Sequence, residues 1–253
     1  MSLLTPGLVS ITFRSLPPAE IVDLVARAGL VGIEWGGDIH VPHGDVSAAE
    51  RVRELTESAG LTTVAYGSYY RVGPESGVSF TSVLDAASAL GAPVIRVWAG
   101  SKGSADADER YLEAVAIDAC RIANLAGERG IQIAFEYHGG TVADNAPATL
   151  ALLARAAHPN LTTLWQPSTT ETPGQRLAGL KALSLPLAHV HVFQWRGHDR
   201  LPLAKGESEW RTYLGALKSR GRPTSLLIEF VTGDDPEAFL ADAATLRTWI
   251  EGR

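Results

Sequence analysis

The stretch Gly130-Ile131-Gln132-Ile133-Ala134-Phe135-Glu136-Tyr137-His138 runs from the end of a helix through a strand to a polar tip. Gly130 follows the helical spacing of Val115, Ile117, Ala119, Ile122 and Ala126, and a left-handed residue there closes the turn. From Gln132 to Tyr137 the residues are β-rich. Period-two alternation puts Glu136 and His138 on one face and Ile133, Phe135 and Tyr137 on the other. The apolar face suits a covering layer of helices. The polar face then points inward, where an unpaired charge is costly without a metal, a cation or a substrate.

The same unit recurs on both sides of this stretch. Strands are predicted at Leu8–Phe13, Gly32–Trp35, Thr62–Tyr66, Val94–Trp98, Gln132–Tyr137, Thr162–Gln166, His189–Gln194 and Ser225–Phe230. Their starts are spaced at roughly 31 residues, a plausible βα repeat. Between them the apolar period lengthens to that of a helix, as in Ile21, Leu24, Val25 and Ala28. Gly29, Gly60, Gly91, Gly130 and Gly221 fall where successive helices should end. No linker interrupts the series, and 253 residues match the usual size of an eight-unit barrel. The expected fold is α/β, a single (β/α)8 TIM barrel forming one domain over residues 1–253. The same units also build a doubly wound open sheet, and periodicity does not distinguish closure.

Composition narrows the function classes. With 45% hydrophobic and 20% charged residues the chain is neither collagen-like nor disordered. The single cysteine, Cys120, sits in a helical apolar pattern and rules out an intramolecular disulfide and a thiolate cluster. The start, Met1-Ser2-Leu3-Leu4-Thr5-Pro6, lacks the pattern of a secretory signal, and no segment is long enough for a membrane span, so the expected compartment is the cytoplasm. A net charge of -6 argues against a nucleic-acid partner. Gly100-Ser101-Lys102-Gly103 does not form a phosphate-cradling loop of the Walker kind. The expected partner is a sugar-like small molecule. Homo-oligomerisation is left open.

In parallel barrels the active site lies where strands end, so polar residues there are informative. Leu226-Leu227-Ile228-Glu229-Phe230 repeats the device of unit five, with Glu229 near the end of an apolar strand. In Ala188-His189-Val190-His191-Val192-Phe193, His189 and His191 share a face, and Leu164-Trp165-Gln166-Pro167 sets Gln166 at the matching height. Glu136, Gln166, His191 and Glu229 thus come from four consecutive strands, and two carboxylates with an imidazole would form a mixed O/N metal site.

These residues carry a resemblance to the xylose-isomerase-like barrels, especially the sugar phosphate isomerase/epimerase group. It extends from the first strand through Ile33-Glu34-Trp35-Gly36-Gly37-Asp38 to Leu227-Ile228-Glu229-Phe230, with His189-Val190-His191-Val192 and Pro202-Leu203-Ala204-Lys205-Gly206-Glu207 similar to the seventh strand and its loop. The resemblance implies one divalent ion (Mn, Mg, Co or Zn) held by Glu136, Gln166, His191 and Glu229, where the family has Glu, Asp, His and Glu. Gln166 departs from the Asp, and Gln166-Pro167-Ser168-Thr169 lacks the family's His three residues on. An amide carbonyl ligates but carries no charge, so metal affinity should fall. The implied chemistry stabilises an enediolate while Glu136 and Glu229 remove and return a proton. That is isomerisation or epimerisation of a sugar or related hydroxy-ketone. Departure of a β-hydroxyl would instead make a dehydratase, and a weakened metal site would leave a non-catalytic sugar-binding barrel.

Blander roles compete at each position. Glu136 or Glu229 could pair with Arg96, which shares a face with Trp98 and could otherwise clamp a substrate anion. His191 could be a satisfied core histidine, and His189, deeper by one pleat, reads as structural. Glu34 either contacts substrate or orients neighbouring groups. His138 is expected at the substrate or the metal. Asp38, His40 and His43 lie on a glycine-flanked loop open to substrate contact or plain solvation, and Lys205 is either an anion-binding group or a solvated charge. Trp165 and Trp35 are out of phase with Gln166 and Glu34 and should face outward, whereas Trp98 is the pocket candidate.

Overall fold

Eight parallel strands close into a barrel in the computed structural model of the chain, which describes residues 3–74 and 76–252. Met1 and Ser2 of the N-terminal reading lie outside the described residues. The barrel strands are β1 (Leu4–Val9), β2 (Gly32–Gly36), β3 (Thr62–Arg71), β4 (Val94–Trp98), β5 (Gln132–Phe135), β6 (Leu161–Trp165), β7 (Leu187–Val192) and β10 (Thr224–Ile228). Their order is β1-β10-β7-β6-β5-β4-β3-β2, and pairing of Leu4–Leu8 with Thr224–Ile228 makes the closure that periodicity left open. A short antiparallel ribbon, β8 (Gln194–Arg196) with β9 (Asp199–Leu201), stands apart from the barrel.

Helices α1 (Pro18–Arg27), α2 (Val46–Ser58), α3 (Phe80–Leu90), α4 (Glu109–Gly127), α5 (Ala146–Ala156), α6 (Pro173–Ala182), α7 (Glu207–Ser219) and α8 (Pro236–Glu251) cover the outside. Gly29, Gly60, Gly91, Gly130 and Gly221 all have φ between 65° and 71°, as the helix-end reading requires. The opposite helix ends face the βα loops, and side chains cap those of α2, α4, α5, α6 and α8, while α1, α3 and α7 start without a side-chain cap. Asp45, Asp108 and Asn145 accept from Ala48, Tyr111 and Ala148, and Thr172 forms a capping box with Gln175. Each such cap is worth about 1 kcal/mol and fixes a loop at the end of the barrel where chemistry is expected.

Outward side chains seat the helices. Trp35 is fully buried and its indole donates to Thr56 Oγ1 on α2 (3.2 Å), while Trp165 packs edge-on against Tyr213 of α7 at 5.3 Å. Both tryptophans point away from the barrel, as their phase predicts. Inside, Ala65, Val94 and Ala134 form a small apolar cluster. The fully or nearly fully buried Glu34, Arg96, His189 and His191 share this interior.

Several strand boundaries depart from the sequence reading; β5 and β10 each end two residues early, at Phe135 and Ile228, and three other strands show why such shifts occur. The first strand is Leu4–Val9, and Ser10–Phe13 is a 3-10 turn. The strand starts early enough to include Pro6 and Gly7, and a Cβ on Gly7 would sit 2.5 Å from Gly32 O and 2.6 Å from Leu227 Cδ2, so glycine permits the tight closure. β3 continues to Arg71 after a register shift and carries Tyr69 to the mouth. β7 stops at Val192, because Gln194 has left the barrel to pair with Leu201.

Candidate active site

A cavity of about 340 Å³ opens where the strands end. Its lining includes Glu136, Gln166 and Glu229 with Arg96, His138 and Trp98. Glu136 and Gln166 each follow the last residue of their strand, so the alternation that sends Phe135 and Trp165 into the helix layer turns these polar groups inward.

Glu136, His191 and Glu229 each offer a ligand atom within 4.8 Å of the others. His191 Nδ1 lies 3.3 Å from Glu229 Oε2 and 3.1 Å from Gln166 Oε1. The Gln166 amide donates to Tyr137 O at 2.9 Å and lies 3.4 Å from Glu136 Oε1, which aims its carbonyl oxygen at the imidazole. Two carboxylates, one ring nitrogen and one amide oxygen converge without a solvent-exposed member, a donor set that fits a divalent cation.

Below these donors lies a buried charge layer. Arg96 Nε donates to Glu34 Oε1 at 2.7 Å, and Arg96 Nη1 donates to Glu136 Oε2. Trp98 Nε1 donates to the same Glu136 oxygen at 2.5 Å. Glu34 Oε2 lies 2.8 Å from His189 Nε2 and 3.1 Å from His191 Nε2. Burial alone would raise the Glu34 carboxyl, but Arg96, His191 and His189 hold it well below the usual range. Glu136 is likewise lowered against its burial, by Arg96, His191 and His138. Burial opposes charge on His191 too, yet Glu229 and Glu34 outweigh it and push the ring up to about 10. His189 moves the other way, lowered by burial.

The remaining sequence candidates divide sharply. Arg96 is the ion-pair partner of Glu136 and Glu34 and also lines the cavity. His138 lines it as well, stacked on Trp98 with centroids 5.2 Å apart, and its Nδ1–H donates to Gly139 O at 2.6 Å. Glu34 is fully buried and is not part of the lining, so its expected substrate contact is corrected to the interior role. The expectation of substrate contact also fails for His40, which is buried, bonded to Ser10 Oγ at 2.9 Å and set edge-on to Trp35. Lys205 is exposed on the 3-10 turn Leu203–Gly206, outside the cavity. Asp38 is tied to Arg14 at 2.5 Å, and His43 to Tyr66 at 2.7 Å.

Sequence reasoning missed much of the aromatic wall. Tyr69, Phe193 and Phe230 line the cavity with Trp98 and Trp195. Tyr69 and Phe230 have φ of 54° and 58°, the left-handed region that side chains rarely adopt. Strand phase does not carry past Tyr66 to find Tyr69, because β3 shifts register between Gly67 and Arg71. The positive φ at Phe230 has no signal in the residue type.

A family model described as xylose isomerase-like TIM barrel matches residues 22–249. The chain belongs to that family. A 3-dehydroshikimate dehydratase of Bacillus anthracis is 36% identical over 67 residues, which are 26% of this chain and only 24% of that protein. Among solved structures, the probable 3-DHS dehydratase AsbF of Bacillus anthracis superposes with a TM-score of 0.81 at 18% identity, covering 96% of this chain and 98% of that one. IolI protein with a binding zinc atom gives 0.78 at 13% identity, covering 97% of each chain. A D-allulose 3-epimerase from Methylomonas sp. gives 0.75 at 16% identity, covering 99% of each. At these identities the structural likeness is one of fold.

Proposed function

We propose that this xylose isomerase-like barrel is a divalent-metal-dependent isomerase or epimerase of a sugar or related hydroxy-ketone. The observation that carries the reading is the convergence of Glu136, Gln166 and Glu229, which line an open cavity, on the fully buried His191 beneath them. A divalent ion held by these four would polarise neighbouring carbonyl and hydroxyl oxygens of the substrate. The chain's own groups do the rest. Glu136 and Glu229 take a proton from the carbon beside the carbonyl and return it. Arg96 keeps Glu136 ionised, and Arg96 and Trp98 together fix its rotamer, so a carboxylate rather than a carboxylic acid meets the substrate. Trp98, Tyr69, Phe193 and Phe230 provide apolar faces for C–H groups and reduce access of water. Sugar phosphates have little support, since the two lining arginines, Arg14 and Arg96, already face carboxylates.

A second reading, a dehydratase on the same scaffold, draws on the descriptions of a Bacillus anthracis 3-dehydroshikimate dehydratase in the sequence comparison and of a probable 3-DHS dehydratase from the same organism among the solved structures. In that case the proton taken by a glutamate is followed by departure of a β-hydroxyl, and His138 beside Trp98 is placed to give that hydroxyl its proton.

Incubating the Mn²⁺-supplemented protein with a panel of ketoses and cyclic hydroxy-ketones in ²H₂O tests both. Deuterium at the carbon next to the carbonyl is expected, with Glu136→Gln and Glu229→Gln each lowering exchange by about 100-fold or more. Ultraviolet absorbance of an enone would select the dehydratase. Exchange unchanged in both variants contradicts the glutamate assignment. Calorimetric binding with no exchange on any panel member would leave a sugar-binding barrel.

A further inference from the structure

We propose that Glu34 is the positioning residue of the donor site, a single buried carboxylate that aims His191 directly and Glu136 through Arg96. The inference rests on the reading that Glu136, Gln166, His191 and Glu229 hold a divalent ion.

Glu34 lies on β2, whose hydrogen-bonded neighbours in the barrel are β1 and β3. Its side chain nevertheless reaches groups from β4 and β7. Oε2 lies 3.1 Å from His191 Nε2, the ring nitrogen opposite the one that faces Gln166 and Glu229. A ring that donates Nε2–H to Glu34 presents Nδ1 to the other donors, and a carboxylate behind a ligand imidazole fixes both its orientation and its basicity. The second oxygen, Oε1, accepts from Arg96 Nε at 2.7 Å, and Arg96 Nη1 in turn holds Glu136 Oε2. Two of the four donors are therefore set by one carboxylate that does not line the cavity.

Gly67 on β3 supplies an independent observation. A Cβ there would stand 2.5 Å from Arg96 Nη2 and 2.7 Å from Glu34 Oε1, and its backbone is not among the left-handed glycines. Glycine at this place is thus explained by space: the bare Cα leaves room for the Glu34–Arg96 pair. Gly67→Ala would displace the brace without changing any charge. Glu34→Gln would keep the volume but lose function in part, since its carbonyl oxygen accepts from one partner while its NH₂ group opposes another donor.

The test is calorimetric titration of Mn²⁺ into chelator-treated full-length protein, with thermal melts in chelator to establish folding. Both Glu34→Gln and Gly67→Ala are expected to fold and to bind Mn²⁺ about 10- to 100-fold more weakly than wild type. If one variant does not fold, the other decides. Wild-type binding with folded variants within about twofold of it overturns the positioning role alone. Unfolding of both variants makes Glu34 a support of the barrel and overturns it as well. No Mn²⁺ binding by the wild type overturns the metal reading and this inference together.

Discussion

Arg96 is the residue on which the buried charges depend. It is 1% exposed and stands between Glu34 and Glu136, which are no more exposed than 3%. Removing one partner from such a cluster leaves charge buried and uncompensated, at a cost of about 3–5 kcal/mol. Arg96→Met is therefore expected to lower the unfolding free energy by about that amount in urea titration, whereas Arg53→Met, at the exposed Arg53–Glu57 pair, should leave it essentially unchanged. Gln166 makes the opposite case. Gln166→Asp adds a negative charge among the four groups but loses the amide donation to Tyr137 O, and it faces Glu136 with a second carboxylate. Its expected signature is a lower melting temperature in chelator and about tenfold tighter Mn²⁺ binding by calorimetry. That Glu136, Gln166, His191 and Glu229 converge was legible in the sequence, because strand phase sets which way a residue at a strand end points. The Glu34 contact to His191 was not, since it spans 157 positions and depends on barrel closure.

At the scale of elements, the helix-closing glycines and the strand ends behave differently under substitution. Gly130 has φ 69° and open space where a Cβ would stand, so Gly130→Ala carries only the backbone penalty. It should cost about 1 kcal/mol in chemical denaturation and leave Mn²⁺ affinity untouched. Such glycines were readable because helix ends impose a local conformation. The mouth of the cavity was less readable. β3 runs past its predicted end to carry Tyr69 inward, and the chain after β7 departs into the β8–β9 ribbon, bringing Trp195 against Phe193 and Phe230. Those paths depend on which surface each segment meets in three dimensions, and local spacing does not encode that. Pro6-Gly7 taught the converse: residues that ordinarily break a strand are accommodated where neighbouring backbones crowd together.

At the scale of the whole molecule, the buried charges tie stability to pH from both sides. His191, pushed up to about 10 from a usual 6.5, adds stability in full below about pH 6.5 and loses it as pH rises toward 10. Glu34 and Glu136, held below the usual carboxylate range, add stability above about pH 4.5 and lose it as pH falls through their lowered values. In chelator the melting temperature should therefore peak between about pH 5 and 7. Holding a metal at His191 Nδ1 requires that nitrogen to lose its proton, so Mn²⁺ affinity should rise with pH across neutrality. Calorimetry in buffers of different ionisation enthalpy measures the proton released. No helix among the described residues is long and apolar enough to cross a membrane.

The central claim is that the ends of β5, β6, β7 and β10 form one metal site. Anomalous diffraction from crystals soaked in Mn²⁺ tests it most directly. The expected result is a single strong peak enclosed by Glu136, Gln166, His191 and Glu229, with the Gln166 carbonyl oxygen among its ligands. A peak elsewhere, or a metal-free cluster with His191 still bridging Glu34 and Glu229, would contradict it.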